Sequence, residues 1–229
     1  MILDGWGKSI NPEVSAIDKA KTPFIDELYE KYPNANLKTF GEEVGLPKNQ
    51  MGNSEVGHLN LGAGRIVYQE LSRINMSIKN RELESNNTLT EAFNYAKKNK
   101  KNIHLMGLIS NGGVHSHYSH LCELIRISNN YESNIFIHGF TDGRDVDPKA
   151  SLTDLENLEE YISDKNCEIA SIIGRYYSMD RDNRWGRTKL AYDLICKGQG
   201  KQTTNFISCL LYTSPSPRDR TRSRMPSSA

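Results

Sequence analysis

Apolar residues recur along the chain with two different periods. Helical spacing appears in five segments: one that begins at Thr22-Pro23, and residues 88–100, 119–130, 151–164 and 185–197. Thr22-Pro23 is a favourable helix start, because a hydroxyl N-cap precedes a proline at the first helical position. Three short runs rich in β-branched residues and bounded by turn residues predict buried strands over residues 103–109, 135–140 and 169–173.

Strands and helices therefore alternate in the middle of the chain. This order predicts an α/β fold, with a parallel sheet and helices on both of its faces. The carboxyl ends of parallel strands lie at one edge of a sheet, where ligands usually bind. The loops that follow the three predicted strands, residues 110–117, 141–148 and 174–185, should meet at this edge.

Cationic side chains and one carboxylate are concentrated in and just beyond these loops. Guanidinium groups bind phosphate and carboxylate through paired hydrogen bonds, so the set favours a small, highly anionic substrate. For Arg184 and Arg187 a second interpretation stays open, namely surface ion pairs with Asp180 and Asp182. The full set is His115, His117, Arg144, Asp145, Arg175, Arg181, Arg184 and Arg187.

Histidines raise the question of a metal site. The spacing of His115, His117 and His120 resembles a metal-ligand cluster, but His120 falls at the start of the next predicted helix, where it would cap or pack. We therefore favour substrate contact over a complete metal site. The other histidines, His58, His104 and His138, are interpreted as partly buried residues with local hydrogen bonds.

Two N-terminal segments carry a separate candidate site. Asp4 follows a short apolar stub and precedes two glycines, so it should lie at a strand end, where carboxylates often hold a divalent ion. Asn53-Ser54-Glu55 resembles a turn entering a helix, whose free N–H groups favour an anion. Ser54 could be an ordinary N-cap or a nucleophile, and a nucleophile would need activation. The residues alone indicate an anion-binding site with a candidate serine.

Composition restricts the class of protein. At 229 residues and 37% hydrophobic content, the chain can bury one large core or two modest ones, and it has no apolar run long enough to span a membrane or act as a leader. We expect a cytoplasmic protein. Four widely separated cysteines, Cys122, Cys167, Cys196 and Cys209, indicate buried, reduced side chains rather than disulfides or a zinc ribbon.

The end of the chain differs in composition from the rest. The segment "TSPSPRDRTRSRMPSSA" contains four arginines and one aspartate, and since the whole chain has a net charge of +1, the remainder is slightly acidic. Nothing in that remainder favours nucleic acid. The segment lacks apolar periodicity, which predicts disorder. It could be an RNA-binding tail, but we favour a non-native end over residues 208–229.

Five long strings, in order from Met1 to about Gly200, identify a family. They are "ILDGWG", "GLPKNQMGNSEVGHLNLGAGR", "LMGLISNGGVHSH", "HGFTDGRDVDP" and "GRYYSMDRDNRWGR". Together they resemble the cofactor-independent (2,3-bisphosphoglycerate-independent) phosphoglycerate mutases. The resemblance implies a partial alkaline-phosphatase-like metal-binding domain over residues 1–70 and a truncated inserted α/β domain that binds phosphoglycerate over residues 71–207.

The resemblance also implies a chemistry, the interconversion of 2- and 3-phosphoglycerate through a phosphoserine. Ser54 would be the nucleophile, and Asp4 and Ser54 would bind one of two manganese ions or other divalent metals, without a bisphosphoglycerate cofactor. The implied substrate-binding residues are His115, Arg144, Asp145, Arg175 and Arg181.

Members of this family are about twice as long as this chain. The missing half supplies the other metal ligands and further substrate residues, so we expect an incomplete copy that is inactive by itself, and a monomer at full length. Neither nucleic acid nor a membrane is an expected partner. Two alternatives stay open: another metal-dependent phosphomutase or phosphatase of the alkaline phosphatase superfamily, and an RNA-binding protein that uses the arginines and the tail.

Overall fold

The computed structural model describes residues 2–48, 50–203 and 205, and its residues group into two compact units, Met1–Arg73 and Ile74–Ala229. The predicted tail at 208–229 and Cys209 lie outside the described residues. No helix in the described part of the chain is both long enough and apolar enough to cross a membrane.

The first unit contains short helices and turns around a small core. Its helices are α1 (Ala16–Lys19), α2 (Pro23–Lys31) and α3 (Ser54–Ala63), and α4 (Glu70–Lys79) begins in this unit. Helix α2 begins at the predicted proline, but the Thr22 hydroxyl does not cap the backbone and instead donates to Asp26 Oδ1 at 3.0 Å. The small core consists of Val44, Leu46 and Val56.

Two residues fix the chain next to α3. The Asn60 side chain donates to the carbonyls of Val44 and Val56 and accepts from Val67 N at 2.6 Å, which connects three chain segments. Gly52 lies so close to the Thr39 carbonyl oxygen that an added Cβ would be 1.8 Å from it. A glycine is therefore required just before α3, because any side chain would force the two backbone segments apart.

The second unit is built on a three-stranded sheet, which is parallel as the alternating pattern predicts. Its strand order is β1-β2-β3. The strands are β1 (Ile103–Ile109), β2 (Ile135–Thr141) and β3 (Cys167–Gly174). Ile103 pairs with Ile135, Ile135 pairs with Cys167, and a register shift follows Ile137. The helices are α5 (Asn87–Lys98), α6 (Tyr118–Ser128), α7 (Ala150–Ile162), α8 (Arg175–Ser178) and α9 (Trp185–Lys197).

The core of this unit lies between the sheet and two helices. Ile109 of β1 and Ile137 of β2 pack against Ile125 of α6 and against Leu155 and Leu158 of α7, and all five are at most 2% exposed. Each fully buried aliphatic side chain contributes about 2 kcal/mol, and this burial holds one face of the sheet against α6 and α7.

The opposite face of the sheet is less completely covered than predicted. Met106 of β1 is 62% exposed, and the face carries a polar chain in which His104 Nδ1 lies 2.9 Å from His138 Nε2 and His138 Nδ1 lies 2.7 Å from Ser171 Oγ. These two histidines therefore bond to each other across neighbouring strands. Cys122 and Cys167 are partly buried free thiols, but Cys196 is exposed, so the expectation that it is buried is wrong.

Candidate functional site

Ser54 is the first residue of α3 rather than its cap. The N-cap is Asn53, whose Oδ1 accepts a hydrogen bond from Val56 N at 2.9 Å. The interpretation of Ser54 as an ordinary N-cap is therefore wrong. Because Asn53 supplies the capping bond to Val56 N, the Ser54 hydroxyl is available for another partner.

That partner is a carboxylate fifty positions earlier in the chain. Ser54 Oγ donates to Asp4 Oδ2 at 2.7 Å, and it lies 3.1 Å from His58 Nδ1. His58 Nδ1 is also 2.9 Å from the Ser54 carbonyl oxygen, one helical turn away. The structure thus brings the predicted pair Asp4 and Ser54 together, and it adds His58, whose spacing of four residues from Ser54 was the available signal.

Asp4 and Ser54 are suited to hold part of a divalent-ion site. A carboxylate and a hydroxyl are hard oxygen donors, which manganese and magnesium prefer, and both side chains are exposed and adjacent. Within the described ranges, no group of three or more His, Cys, Asp or Glu residues is arranged to hold a metal ion. By themselves, Asp4 and Ser54 would supply two of the ligands that a divalent ion needs.

A second cluster forms where the strands of the sheet end. Arg175 begins α8 directly after β3, and its Nη1 donates to Asp145 Oδ2 at 2.6 Å and to Asp142 Oδ1 at 2.9 Å. His115 Nε2 lies 3.8 Å from the same oxygen of Asp145. Three of the predicted residues, His115, Asp145 and Arg175, are therefore neighbours, as the convergence of strand ends predicts.

Asp142 is a central residue of this cluster that the sequence analysis missed. It is 2% exposed, and its Oδ1 accepts from three consecutive backbone N–H groups, those of Gly143, Arg144 and Asp145, at 2.8 to 3.1 Å. Its Oδ2 accepts from Ser110 Oγ at 2.7 Å. An aspartate before a glycine at a strand end, which typically binds its own turn, was the available signal.

Electrostatics keep Asp142 and Arg175 charged. Burial alone would raise the pKa of Asp142, but hydrogen bonds from the backbone N–H of Arg144, from Ser110, from the N–H of Asp145 and from Arg175 lower it to about 2. Burial would lower the pKa of Arg175, but Asp145 and Asp142 outweigh it and raise this pKa above its usual value. Both side chains are therefore ionised throughout the physiological pH range.

The other predicted arginines are placed differently. The Arg144 and Arg181 side chains are exposed, and within the described residues neither forms a hydrogen bond or an ion pair with the cluster. Arg187 pairs with Asp180 at 2.9 Å and lies over the Tyr176 ring at 3.9 Å, so the expected partner is found. The two side chains are only 13% and 2% exposed, so this is not the surface ion pair that was expected. The Arg184 backbone N–H also donates to Asp180, at 2.8 Å.

His117 and His120 have roles at the start of α6. His117 is the N-cap, and its Nδ1 accepts from Ser119 N at 3.2 Å. His120 Nε2 lies 2.7 Å from Asn75 Oδ1, and burial followed by the neighbouring His117 lowers the pKa of His120. Contacts of this kind orient the helix start and the loop that carries His115.

Asp154 of α7 is a buried carboxylate with an incomplete set of partners. It is 5% exposed; its Oδ1 accepts from Asn111 Nδ2 at 2.6 Å, whereas its buried Oδ2 has no hydrogen-bond partner within the described chain. Burial raises the pKa of Asp154, the Asn111 bond opposes this, and the charge of Asp142 adds to it. Folding therefore disfavours the ionised form of this carboxyl relative to the unfolded chain.

We expect Asp154→Asn to stabilise the chain at neutral pH by about 1 kcal/mol. The pKa of Asp154 is raised on folding, so the carboxyl destabilises the fold as pH rises above the unfolded value. The gain in stability of Asp154→Asn should therefore be present at pH 7. It should vanish near pH 3, where the aspartic acid is neutral in both the folded and the unfolded state. Thermal unfolding of both proteins at these two pH values tests this, and an equal gain at both would contradict it.

Proteins of one family resemble this chain over most of its length. The family model described as BPG-independent PGAM N-terminus (iPGM_N) matches residues 74–215. A 2,3-bisphosphoglycerate-independent phosphoglycerate mutase from Flavobacterium psychrophilum is 58% identical over 208 residues, which are 90% of this chain and 41% of the relative. The protein of that name from Bacteroides fragilis is 50% identical over 211 residues, covering 92% of this chain and 42% of the relative.

A solved structure agrees with these relatives. It is described as Leishmania mexicana phosphoglycerate mutase at low cobalt concentration, and it matches with a TM-score of 0.67 and 30% identity over 86% of this chain and 38% of its own. This chain therefore spans less than half of each of these three proteins. Since the family model covers most of the chain, including the strand ends where Asp142, Asp145 and Arg175 meet, the chain belongs to the family of BPG-independent phosphoglycerate mutases.

Proposed function

We propose that this chain is the N-terminal part of a phosphoglycerate mutase that interconverts 2- and 3-phosphoglycerate in glycolysis through a phosphoserine at Ser54. The observation that carries the proposal is the hydrogen bond from Ser54 Oγ to Asp4 Oδ2, which joins residues fifty positions apart at the start of α3. The names of the family and of its relatives supply the substrate class.

The first unit would carry the nucleophile. The bond to Asp4 directs the Ser54 proton toward a carboxylate, which leaves the oxygen lone pairs available for phosphorus. Free N–H groups at the start of α3 would stabilise the phosphoserine. Asp4 and Ser54 would hold one of two divalent ions, manganese or a similar metal, whose chemistry when bound is to lower the pKa of the hydroxyl and to neutralise phosphoryl charge.

The second unit would hold the glycerate. Arg175 uses Nη1 for Asp142 and Asp145, so its other donors would face the anionic substrate. Asp145 and His115 would contact the glycerate hydroxyls, and the exposed Arg144 and Arg181 would bind its phosphate or carboxylate. A glycerate retained in this way can reorient and accept the phosphoryl group on its other hydroxyl.

Several further properties follow from this proposal. The reaction needs no bisphosphoglycerate, because Ser54 itself carries the phosphoryl group. Glycolysis places the protein in the cytoplasm, and the complete enzyme would act as a monomer on a small molecule, without nucleic acid or membrane. The chain by itself would be inactive, because Asp4 and Ser54 would supply two ligands of a metal site that needs more, and the residues that the structure describes contain no larger group of metal-binding side chains.

A hybrid enzyme tests the function. It joins residues 1–205 of this chain to the remaining part of the Flavobacterium psychrophilum relative, which is 58% identical over the replaced region. We expect manganese-dependent conversion of 3- to 2-phosphoglycerate without added bisphosphoglycerate, and no turnover by this chain alone.

Two other results would contradict the proposal. A folded hybrid that only hydrolyses phosphate esters across a substrate panel would favour the phosphatase alternative. RNA binding by the chain that disappears when residues 213–229 are removed, together with an inactive hybrid, would favour the RNA-binding alternative.

A further inference from the structure

Asp142 connects the carboxyl ends of all three strands. Ser110, which donates to Asp142 Oδ2, follows β1; Asp142 itself follows β2; and Arg175, which donates to Asp142 Oδ1, follows β3. The Ser151 hydroxyl of α7 also donates to the Asp142 carbonyl oxygen. A single carboxylate thus fixes the relative positions of the loops that carry His115, Asp145 and Arg175.

We propose that Asp142 is the positioning residue of the phosphoglycerate site: it holds the Arg175 guanidinium and the turn of Arg144 and Asp145 in the geometry that binds the anion. This inference rests on the proposed function and goes beyond it. Asp142 is 2% exposed and both of its carboxylate oxygens accept hydrogen bonds from neighbouring residues, so it acts through Arg175 and the turn rather than on the substrate.

The direction of the effect separates positioning from simple electrostatics. A buried negative charge near the site repels an anionic ligand, so if Asp142 acted only through its charge, its neutralisation would tighten phosphoglycerate binding. If Asp142 holds Arg175 in place, its neutralisation frees the guanidinium and weakens binding. The two hypotheses therefore predict opposite changes in affinity.

Asp142→Asn is the informative substitution, because asparagine can preserve the local fold. Its carbonyl oxygen can still accept from the backbone N–H groups of residues 143–145, and its amide can donate to Ser110 Oγ, which then acts as acceptor. What is lost is the charge that binds Arg175. Asp154→Asn is the matched control, since Asp154 is a comparably buried carboxylate that contacts no arginine.

The experiment compares the full chain with these variants. The dissociation constant for 3-phosphoglycerate is measured by NMR titration, and the guanidinium signals of Arg175, assigned through their loss in Arg175→Lys, report its order. We expect Asp142→Asn to weaken 3-phosphoglycerate binding about tenfold. The separate guanidinium signals of Arg175 should merge into averaged ones, because the side chain is no longer held in one position. Asp154→Asn should change neither the affinity nor these signals. Ser110→Ala, which removes the tether between β1 and Asp142 together with the acceptor of the Gly112 N–H, should weaken binding less, and it replaces Asp142→Asn if that variant does not fold.

The other outcomes overturn the inference in distinguishable ways. Equal or tighter binding by Asp142→Asn, or unchanged Arg175 signals, would show that Asp142 does not position the arginine, while the proposed function would stand. If the unsubstituted chain and the Asp154→Asn control also fail to bind 3-phosphoglycerate, the proposed function of this unit fails, and the inference fails with it.

Discussion

Replacing Ser54 with alanine in the hybrid enzyme should lower kcat by at least about a thousandfold, because it removes the hydroxyl proposed to take the phosphoryl group. Phosphoenzyme, detected by mass spectrometry after mixing with 3-phosphoglycerate, should disappear with it. The fold should be unaffected, since the partners of Ser54 Oγ, Asp4 and His58, are exposed and Asn53 caps α3. Unfolding temperature and turnover are the two measurements.

The matched control for this prediction is Ser163→Ala. Ser163 is also an exposed serine with a local hydrogen bond, from its hydroxyl to the Glu160 carbonyl oxygen at 2.8 Å, but it lies at the end of α7. The control should retain full activity and form phosphoenzyme. Activity of Ser54→Ala equal to that of the control would remove Ser54 from the mechanism, and phosphate on another residue would reassign the nucleophile.

The central sheet could be predicted from the sequence because its strands are short runs rich in β-branched residues and bounded by turn residues. Residues 103–109 were placed as they occur, whereas β3 begins at Cys167, two residues before the predicted start. Helix α9 lies where it was predicted, whereas the ends of α5, α6 and α7 differ from the prediction by one or two residues, since they depend on caps such as Asn86 that satisfy the first N–H groups. The four-residue helix α8 is too short to give a periodic signal.

The candidate site was predictable in its location but not in its internal organisation. The rule that parallel strand ends converge brings His115, Asp145 and Arg175 together. It could not distinguish Asp142 from Asp145, because sequence alone does not show which carboxylate turns inward against the strand ends. Pairing of Arg187 with Asp180 likewise depends on the loop conformation.

Arg175 should contribute to both stability and binding, because it lies between two carboxylates. Its side chain is 13% exposed, and those of Asp142 and Asp145 are 0% and 13% exposed. Arg175→Ala would leave both carboxylates without their cation, so we expect it to lower the free energy of unfolding by about 3 kcal/mol. Phosphoglycerate affinity should fall by about a hundredfold, since the guanidinium donors are lost as well.

Arg175→Lys separates charge from geometry. A lysine ammonium keeps the positive charge but cannot present a planar set of donors to two carboxylates and an anion together. We therefore expect Arg175→Lys to keep part of the stability that Arg175→Ala loses, but little of the phosphoglycerate affinity. Arg126→Ala is the control, because Arg126 also pairs with two carboxylates, Glu84 and Glu123, but at 41% side-chain exposure. Arg126→Ala should lower the free energy of unfolding by less than about 1 kcal/mol and leave phosphoglycerate binding unchanged.

A double substitution tests whether the cost comes from unpaired charge. In Arg175→Ala, Asp142 is a buried anion without its guanidinium, so adding Asp142→Asn should restore stability even though each single substitution lowers it. Phosphoglycerate binding should stay lost in the double variant, because the donors to the substrate are still absent. Chemical unfolding of the four proteins of this cycle, with ligand titration in parallel, gives both quantities. Additive losses of stability, or affinity that returns with stability, would contradict the dual role assigned to Arg175.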